Sequence, residues 1–123
     1  MEESKPGQIL WHDLTVDNAE EVSNFYNGVL GWQKEGLSMG DYDDFMIKSS
    51  KDGDVVAGVC HARGGNKDLP PQWLMYVKVA NLDDSLAKCV ELGGKVLGDK
   101  RKMGEGYYSL IQDPAGAYMM LCE

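Results

Sequence analysis

The feature that most constrains this chain is that it nearly repeats itself at an offset of 63 residues. Leu14-Thr15-Val16 recurs as Val77-Lys78-Val79, Asn18 as Asn81, Gly31 as Gly94 and Gly53 as Gly116. The identities are few, but the order of local signals recurs with them. In the first half, residues 9–16 read as a strand, and Asn18 with Glu21 three residues on forms a capping-box start to a helix. Ala19, Val22, Phe25, Tyr26, Val29 and Leu30 follow at helical spacing, and Gly28 and Gly31 end the helix. Strands are expected near 32–35, 44–49 and 55–62, with a hairpin turn at Lys51-Asp52-Gly53-Asp54. In the second half, residues 73–79 are β-rich. Asn81 and Asp84 start a helix whose stripe is Leu82, Leu86, Cys89 and Val90, and Gly93-Gly94 ends it. Strands follow near 95–97, 107–112 and 117–122, with a turn at Asp113-Pro114-Ala115-Gly116. The polar stretch 62–71, with Gly64-Gly65 and Pro70-Pro71, reads as a linker. The expectation is an α+β fold of two βαβββ modules, about 8–62 and 72–123. One helix covers only one face of a small sheet, so the uncovered faces should meet or curl together.

Length and composition fit that plan. A chain of 123 residues is one domain's worth, with 43% hydrophobic and 26% charged residues. No apolar run approaches the ~20 residues of a membrane span. The start, Met1-Glu2-Glu3-Ser4-Lys5, has no signal-peptide core, so a cytoplasmic protein without membrane partners is expected. The net charge of −8 argues against nucleic acid, which is held by clustered Lys and Arg. Lys100-Arg101-Lys102 is too short a basic run to change this and reads as a solvated loop. The three cysteines and two histidines form no CxxC, HxxxH or HExxH pattern, so neither a disulfide scaffold nor a zinc ribbon is indicated. Cys89 falls on a helix stripe and is expected to pack as a buried residue. Met39, Met46, Met103, Met119 and Met120 read as flexible core filler.

Four stretches, in this order and spacing, carry a resemblance. They are Trp11-His12-Asp13-Leu14, Phe25-Tyr26 followed by Leu30-Gly31-Trp32, Glu91-Leu92-Gly93-Gly94-Lys95-Val96, and Asp113-Pro114-Ala115-Gly116. Together they resemble the vicinal oxygen chelate superfamily of glyoxalases, bleomycin-resistance proteins and extradiol dioxygenases. The likeness is closest to its small members with a His-Glu-Leu type first strand, where the acid here is Asp13. The resemblance implies a cupped, open mixed β-barrel built from the two modules. In the enzymes of the family, four side chains from four strands hold a divalent metal in the cavity. It also implies chains that pair, so a homodimer is expected.

Those four positions can be located on this chain. The first falls on Trp11 and its repeat counterpart on Leu74; the last falls on Met120 and its counterpart on Ala57. None offers a hard ligand, and a thioether suits only soft ions. A one-residue slip would bring in His12, but Met75, Gly58 and Leu121 would fill the other places. No cofactor is therefore expected; a displaced metal site from Asp13, His61 and Cys122 is the minor alternative. Strand parity puts Leu14, Val16, Met75, Val77 and Val79 under the helices. It turns Trp11, Asp13, Thr15, Ala57, Val59, His61, Leu74, Tyr76, Lys78, Tyr118, Met120 and Cys122 toward the cavity, a mixed set suited to a small-molecule ligand. His12 is expected to be a partly buried, hydrogen-bonded residue near the start of its strand. Two functions are carried forward. One is metal-free small-molecule binding, like the sequestering bleomycin-resistance members. The other is a superfamily lyase, isomerase or dioxygenase using a displaced metal or acid–base work by Asp13, His61 or Tyr76. A third, partner binding through a filled pocket, would use the loops at 63–71 and 98–106. Trp32 and Trp73 could stack on a planar ligand, but core packing is their commoner role.

Overall fold

The computed structural model describes residues 4–123; residues 1–3, the beginning of the acidic N-terminal stretch, and the side chain of Met103 lie outside the described residues. The fold is α+β. Among the described residues, eight strands and two α-helices follow in the order strand, helix and three strands, twice over, with a short 3-10 turn at Gly64–Asn66 in the stretch read as a linker. The chain divides into two compact units. One is His12–Trp73; the other combines the residues up to Trp11 with Leu74–Glu123.

In the first unit, β1 (Ile9–Val16) contributes its part from His12 onward. It pairs in parallel with β4 (Val55–His61), which pairs antiparallel with β3 (Asp43–Lys48), and β3 with β2 (Gln33–Ser38). The helix α1 (Ala19–Leu30) starts where the sequence says it should. Asn18 Oδ1 accepts the Glu21 N–H at 3.2 Å, and Asn18 Nδ2 donates back to the Glu21 carboxylate at 2.6 Å. It ends at Gly31, whose φ of +77° closes the helix in the left-handed conformation that glycine adopts without cost. The core lies between α1 and one sheet face: Leu14, Ala19, Phe45, Ile47, Ala57 and Val59, with Val16, Val22, Tyr26, Trp32 and Trp73 packed against it. Both tryptophans are in this core. Their rings meet edge to face at 5.8 Å, and the Trp73 indole N–H donates to the Tyr26 hydroxyl at 3.0 Å. The stripe read along α1 is wider than the face the sheet can cover. Phe25, Val29 and Leu30 stay exposed, while Ser23 takes a buried place and donates its hydroxyl hydrogen bond to the Glu20 carbonyl.

In the second unit, β5 (Trp73–Lys78) pairs in parallel with β8 (Tyr118–Cys122), β8 antiparallel with β7 (Gly106–Gln112), and β7 with β6 (Lys95–Met103). The backbone just before β1 bonds the end of β5: Gly7 N–H donates to the Lys78 carbonyl and Lys78 N–H to Gln8. Asn81 caps α2 (Leu82–Glu91), accepting the Asp84 N–H at 2.9 Å. β6 is much longer than the sequence suggested. Lys100-Arg101-Lys102 lies on it rather than in a loop, because Arg101 and Lys102 pair with Tyr108 and Tyr107 beyond a bulge. Lys100 is tied to Asp83 at 2.9 Å and stands over the Tyr107 ring. Cys89 is half-buried rather than buried; its thiol reaches the Lys95 carbonyl at 3.8 Å. Gly94 is required there by close approach, since a Cβ would stand 2.7 Å from Cys89 Sγ and 2.9 Å from the Gln112 carbonyl.

Candidate functional site

In the first unit, backbone register decides which side chains share a face. Asp13 pairs with Gly58, Leu14 with Val59 and Thr15 with Cys60. Paired residues project to the same side of a sheet. Ala57 and Val59 were expected beside Asp13; they instead share the helix-side core with Leu14. The other face carries Asp13, Thr15, Gly58 and Cys60. Here the Cys60 thiol approaches the Asp13 carboxylate at 3.9 Å and also interacts with that of Asp44. Burial, first, and then these two carboxylates push the thiol far above its ordinary range, so Cys60 is held neutral. Asp44 is itself buried and accepts the backbone N–H of His61 at 2.8 Å.

In the second unit, Tyr76 pairs with Met120 and Lys78 with Cys122, and Leu110 and Tyr108 pair with the same two residues from the other side. One face therefore brings together Leu74, Tyr76, Lys78, Tyr118, Met120 and Cys122, to which β7 adds Leu110 and Tyr108. The Tyr76 and Tyr108 rings stand 6.5 Å apart. Sequence reasoning left out Leu110 and Tyr108, though alternation along β7 is the signal that finds them. Burial raises the Cys122 thiol and the Lys78 ammonium partly opposes it. Trp11, half-buried, belongs to this unit as well.

The four metal positions can now be placed by register. Leu14 stands 63 residues before Val77, yet their strand partners Val59 and Leu121 stand 62 apart. The counterpart of Met120 is therefore Gly58 rather than Ala57. The set becomes Trp11, Gly58, Leu74 and Met120, and these side chains hold no hard donor. The residues do not fit a divalent ion. Of the displaced set, Asp13 and His61 stand on opposite faces of the first unit's sheet. His61 points to the helix-side face of β4, and among the described residues no three His, Cys, Asp or Glu side chains are grouped to hold an ion.

His61 instead borders a recess of about 400 Å³ on the α1 side of the first unit, walled by Glu20, Gly40, Asp41, Tyr42, Asp43, Phe45 and His61. Its ring meets Tyr42 edge to face at 5.4 Å. Its Nδ1 is buried, lies 3.5 Å from an Asp44 carboxylate oxygen, and makes no hydrogen bond. Sequence reasoning named His61 but missed the recess. The signal was the run Asp41-Tyr42-Asp43-Asp44, where carboxylates alternate with an aromatic ring in a hairpin turn. His12, expected to be partly buried, is exposed, because it precedes the point where α1 covers β1.

A family model described as the glyoxalase/bleomycin resistance protein/dioxygenase superfamily matches residues 8–121. Over 117 residues, the chain is 27% identical to CFP32 of Mycobacterium bovis, whose name describes it as a glyoxylase. It is 25% identical over 118 residues to the anthracycline biosynthesis protein DnrV of Streptomyces peucetius. The alignments take in 94% and 96% of this chain but only 45% and 42% of those proteins, so the chain spans less than half the length of these relatives. Among solved structures it resembles a superfamily member from Vibrio splendidus at TM-score 0.58 and 13% identity, covering 94% of this chain and 98% of that one. It also resembles methylmalonyl-CoA epimerase of Mycobacterium tuberculosis at 0.55 and 14%, covering 100% and 92%. At such identities the structures speak for the fold.

Proposed function

We propose that this chain, which belongs to the glyoxalase/bleomycin resistance protein/dioxygenase superfamily, binds a small, partly apolar molecule without using a metal. What supports the reading is residue type: the positions that the resemblance and the repeat assign to the family's ligands fall on Trp11, Gly58, Leu74 and Met120, none of which is a hard donor. Binding rather than chemistry is supported by the sheet face of the second unit. There Tyr76, Tyr108, Leu110 and Met120 bring aromatic and polarizable side chains to one face beside Lys78, with Tyr76 and Met120 buried in it, so a ligand would have to displace their present packing. The mycobacterial and Streptomyces relatives carry names from small-molecule metabolism, which agrees in class.

The test is native mass spectrometry after exposure to nickel, zinc, iron and manganese and desalting. The expected spectrum shows no stoichiometric metal adduct, retains any organic adduct, and weighs a homodimer. A stoichiometric metal adduct that disappears in Asp13→Ala or His61→Ala would overturn the reading and make this a metalloenzyme with displaced ligands.

A further inference from the structure

We propose that the ligand of the second unit's sheet face is an organic anion, such as an aromatic carboxylate, whose charged group lies between Lys78 and Arg101. The inference rests on the binding reading above and names the class of molecule bound. Strand register lines up Lys78, Cys122, Tyr108 and Arg101 in one row across β5, β8, β7 and β6. Two rows further along, Tyr118 pairs with Gln112 and Gln112 with Lys95, so Lys95 stands on the same face. The paired positions of this face therefore hold three cations and no carboxylate; Asp99 lies outside them, in the bulge of β6. The other cations of β6 belong to the α2 side, Lys100 held by Asp83 and Lys102 paired with Tyr107.

The chain has 20 acidic and 12 basic residues, so a face with only cations at its paired charged positions runs against the composition. Positive charge gathered on one face of an acidic protein raises the local concentration of anions there. Among the described residues, no carboxylate pairs with the half-buried Lys78 ammonium. Its charge reaches Cys122: burial raises that thiol and the ammonium opposes the rise. Lys and Arg make their strongest hydrogen bonds to carboxylate and phosphate oxygens, so an anion is the ligand that such a row stabilises. Lys78 and Arg101 are carried by strands three spacings, about 14 Å, apart, a span that suits an organic anion with an apolar body better than a bare inorganic ion. Tyr108 and Leu110, both half-buried, give that body aromatic and aliphatic contact, and only its inner end displaces the buried Tyr76 and Met120.

The experiment is an amide NMR titration of the whole protein with 2-naphthoate and with 2-naphthamide, which keeps the shape and lacks the charge. Naphthoate is expected to shift the amides of residues 76–78, 101, 108 and 122 saturably. Naphthamide should bind about tenfold more weakly, since near a protein surface one charge contact is worth about that much. Lys78→Gln and Arg101→Gln should each weaken naphthoate binding by about fivefold. Lys78→Arg should keep it, and Lys102→Gln, exposed on the α2 side, should leave it unchanged. Equal binding of the two compounds would overturn the anion assignment while leaving metal-free binding in place. No saturable shift at these amides would overturn it too, and so would an equal loss in Lys102→Gln, the mark of a non-specific charge effect. A stoichiometric metal adduct in the mass spectrum is a separate result, which would overturn the binding reading and the anion with it.

Discussion

At the scale of single residues, the thiol of Cys60 is strongly perturbed. Burial and two nearby carboxylates raise its pKa well above the ordinary 9.0, so the folded protein keeps the proton at pH values where the unfolded chain has lost it. Folding stability from this group is complete below pH 9 and is lost as the pH rises beyond it. Linkage caps the slope at about 1.4 kcal/mol per pH unit, and solvent screening of the half-buried thiol narrows the pH window of the loss rather than its slope. Thermal melts of the wild type and Cys60→Ser from pH 8 upward check this: the wild type should lose Tm more steeply, and parallel profiles would refute it. Asp13 and Thr15 were legible as one face from alternation alone. Ala57 and Val59 were not, because the repeat spacing shortens from 63 residues at the first strand of each half to 62 at the last. A shift of one residue turns a strand's side chains over, and nothing in the residue types of β4 announces it.

At the scale of elements, the helix starts were legible because capping is local chemistry. Asn18 both accepts from the Glu21 backbone and donates to its carboxylate. Asn18→Ala should cost about 1 kcal/mol, read as a lower urea midpoint at unchanged m-value. Gly94 sits where a side chain would press on Cys89 and Gln112, so Gly94→Ala should cost about 1–3 kcal/mol by overpacking. A neutral urea curve for that variant would show that α2 can retreat from β7. The length of β6 was not legible, because Asp99-Lys100-Arg101-Lys102 has the composition of a solvated loop. Its place in a strand is set by non-local partners on β7. The apolar run of α1 predicted the helix correctly but overstated its buried width, since helical periodicity does not say how much sheet is available to cover it.

At the scale of the whole molecule, the α+β class and the βαβββ order were readable because they rest on turns, caps and periodicity. Among the described residues, no helix is long and apolar enough to cross a membrane. If the protein needs no metal, dialysis against EDTA should leave its Tm unchanged. A bound ion at a hundred times its Kd would contribute about 2.7 kcal/mol, several degrees in a chain this size, and such a fall would sink the metal-free reading. The eight residues of β1 belong partly to each compact unit, whereas the sequence halves join at 62–71. The sequence halves are therefore not the bodies that hold together. A fragment beginning at residue 72 would lack Gly7 and Gln8, whose backbone bonds Lys78, and would present an open β5 edge to other chains. Cut at its apparent seam, this protein should yield an aggregating piece, and a peptide of residues 4–16 supplied in trans should restore its solubility.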